Sequence, residues 1–281
     1  MKRRAFIRKN ATAVPMAFVP SIIRSQQPEN HTLSSKNSSS MKIQRLAWAG
    51  IKVELDATTL FVDAIFDKET NDIELTCETK YRHAIITHHH TDHYDPSALK
   101  TVFDKNSRLY CHEDVLPWID TRDIRTQSVK LHQPSDISIW TGDLIATPVP
   151  AVDGFGHPQV SWVITGGGKR IIHCGDTLWH GHWRDIANAY GPFDIAFLPI
   201  NAARIKLEEV VDTGIPAVMN PEQAVVASKL LKAKVVCPIH YGRPSEGYFE
   251  TPDPEGNFLR FAKEGNVKPL ILEQGEYVKW E

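Results

Sequence analysis

The chain has 281 residues, 42% of them hydrophobic and 23% charged, with a formal net charge of −2. This is an ordinary globular composition, long enough for one large domain or two modest ones, and without a basic excess it offers no electrostatic footprint for nucleic acid. The four cysteines, Cys77, Cys111, Cys174 and Cys237, are far apart and form no CxxC, so neither a sulfur-only metal site nor a disulfide framework is indicated.

Residues 1–40 read as a targeting segment. Arg3-Arg4-Ala5-Phe6-Ile7-Arg8-Lys9 resembles a twin-arginine export signal, and the apolar stretch 11–23 has the length of its hydrophobic region but is too short to span a bilayer. Residues 25–40, rich in Ser, Asn and Gln, read as a linker. The expectation is export to the periplasm; a translation start at Met41, or a simple basic tail, would leave the protein cytoplasmic.

From residue 41 the pattern alternates apolar strands with capped helices. Strands are expected over 42–46, 52–55 and 59–62 as a meander, then a strand ending at Thr87, a helix over 96–103 opened by Asp95-Pro96, a strand over 108–111 and a short helix over 113–118. Further strands fall at 128–131, 138–140, 143–149, 159–165 and 170–174, with Gly166-Gly167-Gly168 as a hairpin turn. A helix over 183–189 stops at Gly191-Pro192; a strand over 195–199, a helix from Asn220-Pro221-Glu222-Gln223 to 231, a strand over 234–238, a helix over 258–263 and a strand over 269–272 complete the chain. Meander first and interleaved helices later predict an α/β fold of two mixed sheets between helix layers. No internal repeat or second linker appears, so 41–281 is a single domain.

The densest chemistry lies in Thr87-His88-His89-His90-Thr91-Asp92-His93, on the turn between a buried strand and the Asp95-Pro96 helix start. So many imidazoles in one tight turn lack ordinary partners and repel when charged; neutral imidazole and carboxylate are also the donors that zinc and its neighbours take. His88-x-His90-x-Asp92-His93 resembles the HxHxDH signature of the metallo-β-lactamase-fold hydrolases, over most of the chain beyond Met41. The resemblance implies a four-layer αββα sandwich and two divalent metal ions, zinc first among them with manganese or iron as alternatives. In Gly175-Asp176-Thr177, Asp176 resembles the acid that bridges the two ions, and His240 resembles the last histidine, joining Asp92 and His93. The first ion then needs an imidazole besides His88 and His90. His157 sits where the family places it, with Asp153 as competitor, whose use would favour oxygen-preferring metals. Asp63 matches an acid that the family keeps beside the centre.

The implied reaction is hydrolysis of a small molecule by water activated between the ions, with Asp92 orienting it and taking its proton, and with His180, His182, Tyr241 and Arg243 lining the substrate cleft. Trp48-Ala49-Gly50 and Pro238-Ile239-His240-Tyr241-Gly242 look most like the branch containing ascorbate-phosphate lactonase-like and N-acyl-phosphatidylethanolamine phospholipase D-like proteins, which split lactones, esters and phosphodiesters. A true β-lactam hydrolase and a non-enzymatic metal-binding protein on the same fold are the alternatives.

Overall fold

The computed structural model describes residues 40–66, 75–138, 143–206 and 214–280, all within one compact unit, Asn37–Glu281. The export segment apart from Ser40, and the strand expected over 138–140 beyond Ser138, lie outside the described residues.

The first half of the fold consists of β1 (Lys42–Arg45), β2 (Ile51–Leu55), β3 (Thr58–Val62), β4 (Tyr81–Ile85), α1 (Pro96–Val102), β5 (Arg108–His112) and β6 (Thr126–Val129). Its six strands make one sheet in chain order, antiparallel from β1 to β3 and parallel from β3 to β6. The second half runs β7 (Ser135–Asp136), β8 (Leu144–Pro150), β9 (Val160–Gly166), β10 (Lys169–His173), α2 (Trp183–Tyr190), β11 (Phe193–Pro199), β12 (Arg204–Ile205), α3 (Pro221–Leu230), β13 (Ala233–Ile239), β14 (Tyr248–Phe249) and α4 (Pro254–Glu264). Its main sheet has the order β13-β11-β10-β9-β8-β7, parallel from β13 to β10 and antiparallel beyond.

Period-two alternation sorts the strand residues between layers. Leu60 and Val62 of β3 pack between the sheets with Trp162, Ile171 and Phe197, whereas Phe61 packs outward with Ala98, Leu99 and Val102 of α1. Ile172 of β10 faces the opposite way from Ile171, meeting Trp183, Ala224 and Phe258 from α2, α3 and α4. The result is helix, sheet, sheet, helix: the expected αββα sandwich. The buried Trp162 indole donates from Nε1 to the Ile86 carbonyl at 2.8 Å, bonding the second sheet to the strand end that precedes the histidine turn.

Local signals explain the helix starts. Asp95 accepts from the Ser97 and Ala98 N–H groups, and Asn220 and Gln223 form a reciprocal capping box. Asp253-Pro254 repeats the first of these signatures, so α4 begins four residues before the expected 258. Two elements differ in kind. Residues 113–118 close into a 3-10 turn, Leu116–Trp118, because Val115 and Trp118 bond back only three residues. The segment 269–272 runs beside β13 with a single bridge at Val236 and is not a strand. Cys111, Cys174 and Cys237 are buried free thiols pushed up to about 12 by burial.

Candidate metal centre

Strand direction brings the chemistry together. β3 and β4 are parallel, and Asp63 and the 87–93 turn follow their C-terminal ends. In the second sheet β8, β10, β11 and β13 share one direction, and Asp153, Asp176, Asn201 and His240 follow their ends in turn. Glycine at 175 is required for one of these turns: it has φ +58°, and a Cβ there would meet Thr87 Oγ1 at 2.7 Å. Asp63 and His240, with φ of 45° and 58°, hold the same left-handed conformation without being glycine, at a cost their hydrogen bonds offset.

Among the described residues three groups of possible ligands result; one is His89, His90 and His157, and the other two adjoin Asp176. In one, His88 Nε2 lies 2.8 Å from His90 Nδ1 and 3.4 Å from Asp176 Oδ1, and His90 Nδ1 lies 4.0 Å from Asp153 Oδ1. In the other, Asp92 Oδ2 lies 3.6 Å from His93 Nε2 and 3.5 Å from His240 Nε2, and Asp176 Oδ2 lies 3.9 and 3.8 Å from the same nitrogens. The two oxygens of Asp176 thus face different clusters.

Each imidazole is held from behind by its other nitrogen. His93 Nδ1 donates to Asp63 Oδ2 at 2.9 Å, and His240 Nδ1 to Asn201 Oδ1 at 3.2 Å. Thr87 Oγ1 donates to Asp63, so it accepts from His88 Nδ1 at 3.0 Å and leaves His88 Nε2 with a lone pair. Trp48 Nε1 donates to Asp92 Oδ2 at 3.0 Å, and its ring packs 4.3 Å from that of His240. Turned to satisfy its neighbours, the Gln159 amide donates to Asp176 Oδ1 at 2.9 Å.

The residues fit bound metal on two observations. Among the described residues the buried nitrogens His93 Nε2 and His240 Nε2 have no hydrogen-bond partner, and both point at carboxylates. Charge balance agrees: burial, with repulsion from His93 and His90, holds His88 well below the usual imidazole range, and burial first of all brings His90 to about 4. Neutral imidazole is the form a metal takes. Burial also works against the charged form of His93, but Asp92, Asp176 and Asp63 raise it to about 10. Asp176, despite the pull of His93, is pushed up to about 7 by burial and by Asp92 and Asp153.

The sequence profile described as Beta-lactamase superfamily domain matches residues 58–241, the span that carries every residue above except Trp48. The chain belongs to the metallo-β-lactamase superfamily. It is similar to a UPF0173 metal-dependent hydrolase of Geobacillus sp. (strain WCH70), 26% identical over 210 residues, covering 72% of this chain and 85% of the relative. The structure of Igni18, a metallo hydrolase from Ignicoccus hospitalis, superposes with a TM-score of 0.67 at 23% identity over 86% of this chain and 98% of that one. An isothiocyanate hydrolase from Delia radicum gut bacteria shares the fold with a TM-score of 0.63 at 17% identity, covering 85% of this chain and 99% of that one.

Not every expected residue of this metallo-β-lactamase fold joins the cleft. Arg243 lines it, its guanidinium donating to Gln274 at 3.1 Å. Tyr241 turns away to donate to Glu255 at 2.6 Å. His180 is buried with its ring stacked 3.8 Å from Trp183, and the exposed His182 ends at the start of α2, so neither lines the cleft. His89 lies against the cleft wall, its ring 4.9 Å from that of Trp118 and 4.8 Å from that of His157. His157 is placed on the outer side of His90, its Nδ1 2.9 Å from His90 Nε2. Sequence reading missed Trp48, Asn201 and Gln159 as partners of Asp92, His240 and Asp176. Asn201, just past a strand end, was the one with a visible signal.

Protons on Asp176 and His93 compete with a cation for the same atoms. Because Asp176 loses its proton only near pH 7 and His93 only near 10, metal affinity should climb with pH from about 6 to about 10, more steeply below 7, and uptake should release protons into the buffer. Isothermal titration in buffers of different ionisation enthalpy measures both; an affinity flat across that range contradicts the arrangement.

Proposed function

We propose that this centre hydrolyses a lactone, ester or phosphodiester bond of a small substrate with the aid of two divalent metal ions. The observation that carries the reading is the orphaned pair His93 Nε2 and His240 Nε2, buried and facing Asp92 and Asp176. His88, His90 and Asp176 would hold one ion, and Asp92, His93, His240 and the second oxygen of Asp176 the other. Bound there, two such ions supply Lewis acidity and bring the pKa of water from about 15.7 toward about 7.

The chain's own groups do the rest. Asp92 reaches the cleft with 41% of its side chain exposed, and though burial opposes its charge, His93 and His240 keep it ionised. It is therefore the group that orients the attacking water and accepts its proton. Trp48 fixes the carboxylate by its indole N–H, so the acceptor does not rotate away between turnovers. The cleft has a volume of about 630 Å³ and opens to solvent, with Ile65, Phe155, Ile205 and Val218 forming apolar walls beside the charged groups. Arg243 at its edge gives an anionic substituent of the substrate a partner.

A panel of γ- and δ-lactones, a carboxylic ester, bis(p-nitrophenyl) phosphate, a β-lactam and benzyl isothiocyanate, offered to the metal-loaded protein, tests the reading. Turnover of a lactone, ester or phosphodiester is expected, and Asp176→Ala should lower it by more than about 100-fold. Turnover of the β-lactam alone would shift the assignment, and a metal-replete protein inert to the whole panel would overturn the enzyme in favour of a metal binder.

We also propose, on the sequence of residues 1–40, that the protein leaves the cytoplasm by the twin-arginine route. No helix among the described residues is long and apolar enough to cross a membrane. Replacing Arg3 and Arg4 by lysine should retain the protein in the cytoplasmic fraction; unchanged export contradicts the proposal.

A further inference from the structure

The first of the two clusters is one donor short of the other unless Asp153 or His157 completes it. The geometry points to Asp153: we infer that the first ion is held by His88, His90, Asp153 and Asp176, and that His157 buttresses His90 without touching metal. This rests on the two-ion reading above.

His90 has two faces, and they are occupied differently. Its Nδ1 looks inward at His88 Nε2, 2.8 Å away, and at Asp153 Oδ1, 4.0 Å away. Its Nε2 looks outward at His157 Nδ1, 2.9 Å away. One ion cannot bind both nitrogens of a single ring, so the atoms facing His90 Nε2 belong to a different environment from those facing His88. Among the described residues, ligand atoms of His88, His90, Asp153 and Asp176 all lie within 4.8 Å of one another, whereas His157 groups only with His89 and His90.

Asp153 is also built for the task. Its side chain is 1% exposed, and Oδ2 accepts from the backbone N–H groups of Phe155 and His157 at 2.7 and 2.9 Å. That turn fixes the carboxyl with Oδ1 directed inward. Gly154 lets the turn sit against Ala217, since a Cβ there would lie 2.3 Å from the Ala217 carbonyl. His157, with 34% of its side chain exposed, is the more open candidate. With Nδ1 of His90 kept as a lone pair for the ion, Nε2–H donates to His157, which sets the tautomer from outside.

The consequence is a symmetric pair of sites, each with two imidazoles and two carboxylates, Asp176 being common to both. Three carboxylates around two dications make the first site harder than a three-imidazole site and raise its relative preference for manganese or iron(II) over zinc.

Metal stoichiometry of the full chain, by elemental analysis after equilibrium dialysis against manganese(II) or zinc(II), decides the matter. Asp153→Asn keeps an oxygen for the backbone N–H groups and removes the anionic donor, so it should bind one equivalent where the wild type binds two. His157→Ala should keep two, with affinity lowered by about 10–100-fold and an unchanged manganese-to-zinc affinity ratio. Circular dichroism and thermal unfolding identify any variant that fails to fold, and Asp153→Ala is then the second probe of the same position. Loss of one equivalent in His157→Ala with both retained in Asp153→Asn overturns this inference alone. Fewer than two equivalents in the wild type instead overturns the two-ion reading.

Discussion

Asp63 is a carboxylate buried to full exclusion of water, and the centre depends on how its charge is satisfied. It accepts from the Thr87 N–H and hydroxyl at 2.7 Å each and from His93 Nδ1 at 2.9 Å. Left alone, such a group would cost several kcal/mol of desolvation; paired with three donors it stays ionised, and its pKa lies below the ordinary value although burial pulls the other way. The same bonds clamp the end of β3 to the histidine turn after β4. They also fix His93 with its free nitrogen directed at Asp92 and Asp176.

The rest of the centre repeats that device with weaker partners. Asn201 does for His240, and Thr87 for His88, what Asp63 does for His93: each accepts a hydrogen bond from one imidazole nitrogen and so directs the other toward the carboxylates. Because these partners follow the ends of strands in both sheets, relative motion of the sheets would misplace the donors. The inter-sheet core of Leu60, Val62, Trp162 and Phe197 opposes such motion, and the Trp162 bond to the Ile86 carbonyl ties it directly to the turn. Packing and chemistry are therefore linked at the level of single residues.

Much of this was legible in the sequence, for reasons that also mark the limit. The histidine turn stood out because its residue types cannot satisfy one another locally, and Asp95-Pro96 and Asn220-Pro221 announce helices through local capping. Asp176 and His240 were legible as polar residues closing apolar strands. Partners set by distant packing were not: nothing near Trp48 says that its indole reaches Asp92, 44 residues away. His180 and His182 could not be placed, because a histidine stacked on tryptophan and one beside substrate look alike in a sequence. Asp153 and His157 could not be separated either, since only the backbone turn between them decides which carries its donor inward.

The central claim is that side chains from both sheets converge on two positions joined by Asp176. Anomalous diffraction from crystals of the metal-loaded protein tests it most directly. The account predicts two peaks about 3.5–4 Å apart, one among His88, His90 and Asp176 and one among Asp92, His93 and His240, each within about 2.0–2.3 Å of an oxygen of Asp176. A single peak, or density held by His89 and His157 with Asp176 free, would contradict it.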